Sequence, residues 1–96
     1  MPESFSPMPD PRVIEKIMKG CANHRRVRML FLLEKQPFYA EHELARLMSI
    51  KPKNASEHLR RLMIAGLVQK RRYGQRMFHP ISNLGRKILK FVRKLE

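Results

Sequence analysis

The sequence predicts a mostly α-helical fold with one small β-hairpin, of mixed α+β class, and three observations lead to it. Apolar residues recur at helical spacing from Val13 to Leu62, with a tight turn at Ser49-Ile50-Lys51. Between Leu67 and His79 that period gives way to two short extended runs around Gly74. From Ser82 onward the helical period returns.

Each element has its own signal. Asp10-Pro11 reads as a helix start, with Asp as N-cap and Pro at the first helical position. Val13, Ile14, Ile17, Met18 and Cys21 follow on one face, and Gly20 marks the break near the end. Asn23 is placed to cap a second helix that carries Val27, Leu30, Phe31 and Glu34 and ends before Pro37. A short third helix runs from Ala40 to Met48, with Leu44, Ala45, Leu47 and Met48 as its apolar positions. After the turn, Pro52 opens a fourth helix that reaches about Ala65. Its inward stripe is Ala55, Leu59 and Leu62, one residue per turn. Gly66 stops it in the left-handed conformation that ends many helices.

Leu67 to Arg71 and Arg76 to His79 read as two strands joined through Arg72-Tyr73-Gly74-Gln75. Ser82 caps a last helix that runs to about Leu95. Helix, helix, helix, tight turn, helix, hairpin, helix is the layout of a winged helix-turn-helix.

A chain of 96 residues is one domain's worth, and a deep catalytic cleft is not expected at this size. Residues 1–10, with Pro2, Pro7 and Pro9, read as a flexible arm, and residues 11–96 as the winged helix-turn-helix domain with a C-terminal dimerisation helix. The charge is lopsided. Residues 1–50 hold eight basic and six acidic residues, whereas residues 51–96 hold thirteen and two. A one-sided basic excess is the footprint of a polyanionic partner. One cysteine, Cys21, supports neither a disulfide framework nor a multi-cysteine metal site, and it fits a reducing cytosol. No apolar run approaches membrane-spanning length, and Met1 to Pro11 does not read as a secretory signal. A cytoplasmic, nucleoid-associated protein is expected.

The fourth helix is the candidate recognition helix. Its inward stripe leaves Lys53, Glu57, Arg60, Arg61 and Ile64 on the opposite arc, with Asn54 on the flank. An α-helix fits the major groove of DNA and meets base edges with its N-terminal half. Lys53, Asn54 and Glu57 are therefore base-reading candidates: Lys favours guanine, Asn pairs with adenine, and Glu accepts from cytosine. Glu57 has a second reading, as a helical partner of Arg60 or Arg61. Lys51 stands at the helix start, and Ser56 is placed to donate to a phosphate. His58 fits a packed position beside the core stripe. The hairpin carries Lys70, Arg71, Arg72, Tyr73 and Arg76 with Gln75 at its tip. Such cations follow a phosphate backbone or enter a narrow minor groove; the plainer alternative is that they guard a strand edge against pairing.

The last helix has an apolar arc wider than one stripe. Leu84, Ile88, Phe91 and Leu95 can face the domain core, and Leu89 and Val92 broaden the arc. A dimer seam of Ile88, Leu89, Val92 and Leu95 with Ile14, Ile17 and Met18 of the first helix is one reading. Packing within one chain is a second, and an in-plane membrane helix ranks last. His24, His42, His58 and His79 do not fall at metal-ligand spacing. Cys21 reads as a small buried hydrophobe. No nucleophile–base pair or glycine-rich phosphate loop is visible, so neither an enzymatic activity nor a cofactor is expected.

Several segments resemble the ArsR-type regulators. Ala22-Asn23-His24-Arg25-Arg26-Val27-Arg28-Met29-Leu30 is similar to the family's opening Ala-Asp-Pro-Thr-Arg-Leu-Arg-Ile-Leu segment. Glu43-Leu44-Ala45 through Ser56-Glu57-His58-Leu59 resembles its helix-turn-helix without a gap. Leu62 and Ala65-Gly66-Leu67-Val68 resemble its helix end and first wing strand, and Lys70 to Arg76 its wing. The likeness spans about residues 22–80; Ser82 to Leu89 is closer to the post-wing helix of MarR- and PadR-type regulators. The resemblance implies DNA binding, homodimerisation and transcriptional control, with repression as the expected direction. Metal-sensing members carry a Cys-x-Cys pair where this chain has Ala40 and His42, and the last helix has only Glu96 as an acidic residue. Metal sensing therefore does not carry over.

Three functions compete. The first is a sequence-specific regulator of double-stranded DNA acting as a homodimer, with no membrane partner. The second is a non-specific nucleoid-associated or RNA-binding protein using the same basic surface. The third is a winged helix repurposed to hold a protein.

Overall fold

The computed structural model describes residues 8–95. Most of the arm expected over residues 1–10, and Glu96, lie outside the described residues. The elements are α1 (Pro11–Cys21), α2 (His24–Lys35), α3 (Glu41–Met48), α4 (Pro52–Ile64), β1 (Arg71–Tyr73), β2 (Arg76–Phe78) and α5 (Asn83–Arg93).

The helix ends are set by local hydrogen bonds. Asp10 accepts from the Arg12 N–H at 2.9 Å and Pro11 opens α1. The Asn23 side chain accepts from the N–H groups of Arg25 and Arg26 at 2.9 and 3.2 Å. Ala40 has no side-chain acceptor to start α3. The Glu43 carboxylate instead reaches back to accept from the Ala40 N–H at 2.7 Å, one half of a capping box. That bond holds the Glu43 carboxyl below its usual range. The turn between α3 and α4 puts Ser49 in the left-handed region, φ 55°, and the Ile50 N–H donates to the Ala45 carbonyl at 3.0 Å. Gly66, at φ 78°, ends α4 in the same way: the Leu67 N–H donates to the Leu62 carbonyl at 2.9 Å.

The core is built where α2, α3 and α4 meet. Met29, Leu30 and Leu33 of α2, Leu44, Ala45 and Met48 of α3, and Ala55, Leu59 and Leu62 of α4 are buried, and Leu67, Val68, Ile81 and Leu89 close it. In α2 the inward positions are thus Met29, Leu30 and Leu33; Val27, Phe31 and Glu34 are only half-buried. The stripe is shifted because α2 meets α1, α3, α4 and α5, and Met29, Leu30 and Leu33 are the side chains that reach their shared core, with Phe31 packed at its margin. Leu47, expected inside, is exposed because α3 buries one narrow face.

The first strand lies further along the chain than the apolar pattern predicts, whereas the second starts at Arg76 as expected. Leu67 to Lys70 is not part of the ladder: Val68 makes a single antiparallel bridge to Ile81, and the Gln69 N–H donates to the Pro80 carbonyl at 2.8 Å. The ladder pairs Arg71 with Phe78, Arg72 with Met77 and Tyr73 with Arg76. Arg72 and Tyr73 therefore belong to β1, and the connection is only Gly74-Gln75, with Gly74 at φ 61°. The run Leu67-Val68 is apolar because it plugs the core, not because it is a ladder strand.

Two devices fix the outer helices. Gly20 is buried, and a Cβ there would collide with the Cβ of Ala65, so α1 lies directly against the end of α4. The Ser82 hydroxyl donates to the Gly66 carbonyl at 2.6 Å and accepts from the Gly85 N–H at 3.0 Å, joining the end of α4 to the start of α5. The expected seam on α5 needs correction at Leu89. That side chain is 0% exposed and belongs to the chain's own core. Phe91 and Leu95, placed by the sequence on the core side, are 50% and 65% exposed. The arc is rotated because Leu89 is the side chain that reaches the core cluster, with Leu84 and Ile88 packed at its margin. Arg93 pairs with Glu34 and lies over the Phe31 ring at 5.1 Å, which ties α5 to α2.

Candidate nucleic-acid interface

The solvent side of α4 is a ridge between two hollows. Lys51, Lys53, Asn54, Ser56, Glu57, Arg60 and Arg61 are all exposed, as the inward stripe requires. Ser56, Arg60 and Met63 line a groove of about 270 Å³ shared with Lys70, Met77 and His79 of the wing segment. On the other flank, Arg61, Ile64 and Ala65 line a cleft of about 380 Å³ shared with α1 and the start of α2. Neither hollow claims Lys53 or Asn54, which stand near the helix start.

Glu57 is engaged within its own helix. Arg60 donates to both of its carboxylate oxygens, at 3.2 and 3.1 Å, and Arg61 donates at 2.9 Å. Those hydrogen bonds from Arg60 and then Arg61 bring the Glu57 carboxyl down to about 2. The helical-partner reading describes the free protein, and Arg60 and Arg61 are held as a fan around one carboxylate. His58 is half-buried, and burial, followed by the charges of Arg26 and Arg25, lowers its proton affinity.

The ladder sorts the wing cations by side. Cross-strand partners share a face, so Arg71, Tyr73, Arg76 and Phe78 lie on one side and Arg72 and Met77 on the other. Phe78 meets Phe38 edge-on at 5.4 Å, which turns the first side toward the α2–α3 connection. Arg76 is drawn in there: its guanidinium lies 5.2 Å from the Phe78 ring centroid and 3.7 Å from the Glu43 carboxylate. Arg71 donates to the Gln69 side chain at 2.9 Å. Arg72 lies on the same side as Met77, which lines the groove against α4. Of the wing residues the sequence singles out, Lys70 lines the groove against α4, Arg72 is exposed on the Met77 side of the hairpin, and Tyr73 and Gln75 are exposed at the tip. Arg76 leans toward the domain, with its side chain still 61% exposed.

His79 closes the groove. It is 4% exposed, its Nδ1 has no partner among the described residues, and burial lowers its proton affinity. Cys21 is half-buried; its Sγ donates to the Met18 carbonyl at 3.5 Å, and burial pushes the thiol up, away from reactivity. Among the described residues no three His, Cys, Asp or Glu side chains come together as a metal site. No helix there is long and apolar enough to cross a membrane.

Comparison with known families decides the lineage. The model of the bacterial regulatory protein, arsR family, matches residues 23–70, half of the 96-residue chain.

The chain belongs to the ArsR family.

Solved structures agree with this ArsR-family assignment. The chain is similar to the homodimeric winged helix-turn-helix DNA-binding domain of Mb0332 from Mycobacterium bovis, a possible ArsR-family transcriptional regulator. The TM-score is 0.80 at 25% identity, covering 95% of this chain and 89% of that one. It is similar to Rv0081 of Mycobacterium tuberculosis, with a TM-score of 0.77 at 27% identity over 93% and 90% of the two chains. It is also similar to the transcriptional regulator HlyU of Vibrio vulnificus, with a TM-score of 0.71 at 26% identity over 88% of each chain. No curated protein matches the chain. The ArsR-like winged helix-turn-helix expected over about residues 22–80 is thus the fold observed, α2, α3, α4 and the hairpin, with α1 and α5 flanking it among the described residues. It is the fold of DNA-binding regulators rather than of enzymes.

Sequence reasoning passed over one set of residues. Arg12, Lys16 and Lys19 of α1 and Arg26 of α2 line the cleft beside Arg61. Their signal is the i, i+4, i+7 spacing of the three α1 cations, opposite the apolar stripe. It is masked by Asp10 and Glu15, which hold down the net charge of the first half of the chain.

Proposed function

We propose that this ArsR-family protein binds double-stranded DNA as a homodimer and represses transcription by occupying its operator in the cytoplasmic nucleoid. The observation that carries this reading is the exposed start of α4, Lys53 and Asn54, on a helix whose groove is shared with Lys70, with Arg72 exposed on the same side of the hairpin as the groove-lining Met77. With α4 in the major groove, Lys53 and Asn54 meet base edges and Arg72 meets the flanking backbone. Lys51, Ser56, Lys70, Arg71, Tyr73 and Gln75 border the same surface. Glu57 holds Arg60 and Arg61 in place until base edges or phosphates replace it as their partner.

The dimer seam we propose is the exposed apolar edge of α1 and α5. Ile14 and Met18 are exposed on α1, joined by Val13, and Phe91 on α5 and Leu95 just past its end are exposed too. Ile17, Ile88 and Val92 are half-buried beneath them. The homodimeric Mb0332 domain supports the reading, since its fold covers nearly all of this chain.

The test is selection from a randomised duplex library at near-physiological salt. Enrichment of an inverted repeat, with half-sites about one helical turn apart, is the expected result. Retention without enrichment, lost as salt rises, overturns sequence-specific regulation in favour of non-specific nucleoid or RNA binding.

A further inference from the structure

The cleft between α1 and the end of α4 has the composition of an anion site. Arg12, Lys16 and Lys19 of α1, Arg26 of α2 and Arg61 of α4 all line it. Its one carboxylate, Glu15, is taken up by Lys19 at 2.9 Å. Its floor, Gly20 against Ala65, is too small to fill it, and about 380 Å³ stays open. A volume of that order accommodates a small ligand. The Arg26 Nε is closed off from solvent and donates to no acceptor among the described residues. A buried guanidinium N–H without an acceptor is rare in folded proteins; Arg26 lines the cleft, so a turn of its guanidinium toward an anion there gives that N–H an acceptor.

We propose that this cleft binds a phosphate-bearing anion of about pyrophosphate size, and that occupancy reaches the recognition helix through Arg61. Phosphate suits the donors: guanidinium groups bind it in bidentate fashion, and several cations around one cleft favour a multivalent anion over a chloride or a lone carboxylate. Arg61 lines the cleft and also donates to Glu57 at 2.9 Å. An anion that draws Arg61 inward leaves Glu57 to Arg60 alone. The phosphate comes either from a free polyphosphate compound or from a DNA backbone running past the end of α4.

The test uses the full chain, isotope-labelled, with pyrophosphate added at constant ionic strength and read by NMR at the arginine Nε–H and glutamate carboxyl positions. Saturable shifts at Arg26 and Arg61, with a matching shift at the Glu57 carboxyl, are expected. Lys16→Gln, an exposed change, and Arg26→Gln should each weaken binding at least tenfold, while Lys90→Gln on α5 should not. Shifts that stay linear and are the same in Lys16→Gln overturn the site; saturation at Arg26 with Glu57 unmoved overturns the coupling. A second titration adds duplex DNA. If duplex displaces pyrophosphate and Lys16→Gln lowers the salt slope by about 0.9, the phosphate is the DNA's own. If the protein binds both at once, the ligand is a free anion. The pyrophosphate arm needs no DNA, so its failure leaves the proposed function standing, and the reverse holds too.

Discussion

Glu57 is the residue on which the charge of the recognition helix turns. Two guanidiniums hold its carboxyl at about 2. A carboxylate depressed on folding adds stability above its unfolded range, near 4.5, and loses it as pH falls through the folded value. The arginine fan should therefore stay closed at pH 4, where an unpaired glutamate is largely protonated. Carboxyl NMR over pH 6 to 2 checks this, and a Glu57 midpoint near 4.5 would show that the fan is open in solution. Glu57→Gln should free both arginines for phosphate, tightening duplex binding and steepening the log–log salt slope by about 0.9 for each further phosphate neutralised. An unchanged slope, with weaker binding to the selected sequence, would instead mark Glu57 as a base reader. Much at this scale is legible in the sequence. The exposure of Lys53 and Asn54 follows from the Ala55, Leu59, Leu62 stripe alone. The lean of Arg76 does not. It depends on Glu43 standing at the start of α3 and on Phe78 beneath the guanidinium, and Glu43 lies too far back along the chain for any local pattern to encode the meeting.

At the scale of elements, caps and periods set the helices within a residue or two, because Asp10, Asn23, Ser82 and Gly66 act on their immediate neighbours. The first strand of the hairpin is misplaced by several residues for a physical reason: buried extended chain and paired strand share one apolar signature, and only the ladder separates them. The face of α5 is ambiguous on the same grounds, since several apolar side chains compete for one inward position. Leu89 wins it, so Leu89→Ala should cost about 2–5 kcal/mol of unfolding free energy. Phe91→Ala should change the monomer's stability by less than about 0.5 kcal/mol, as expected for an exposed position. Urea titration of both variants distinguishes them, and equal costs would place Phe91 in a core. The contact of α1 with α4 makes a similar prediction. Gly20→Ala forces a methyl into Ala65 and should cost about 1–3 kcal/mol, with α1 amides losing protection in hydrogen exchange before those of α2.

The whole molecule carries its basic residues on several surfaces. The second half of the chain shows its excess openly, and that excess lies on the wing, α4 and α5. The α1 cations are invisible to such counting, because Asp10 and Glu15 offset them in the sum, and in the fold they pair with Arg12 at 3.7 Å and Lys19 at 2.9 Å, leaving Lys16 uncompensated on that face among the described residues. The proposed dimer also belongs to this scale. The exposed residues Ile14 and Phe91 are its test points. Ile14→Asp combined with Phe91→Asp should yield a monomer by light scattering, with the far-ultraviolet spectrum unchanged, since neither side chain supports the core. Such a monomer should bind an isolated half-site but lose most of its advantage on the inverted repeat. A dimer that survives both changes would place the seam elsewhere.

The Ser82 hydroxyl, bonded at once to the Gly66 carbonyl and the Gly85 N–H, has an evolutionary consequence. In the proposed dimer, α5 faces the second copy and α4 faces the DNA, and this one side chain sets the angle between them. In the proposed complex, base preference resides in Lys53 and Asn54, at the opposite end of α4 from that hinge. Which bases are read and how far apart the two half-sites stand are therefore governed by different residues. A lineage can drift to a new operator spacing by substitutions around Ser82 while its vocabulary of bases stays intact, or change that vocabulary while the spacing is preserved.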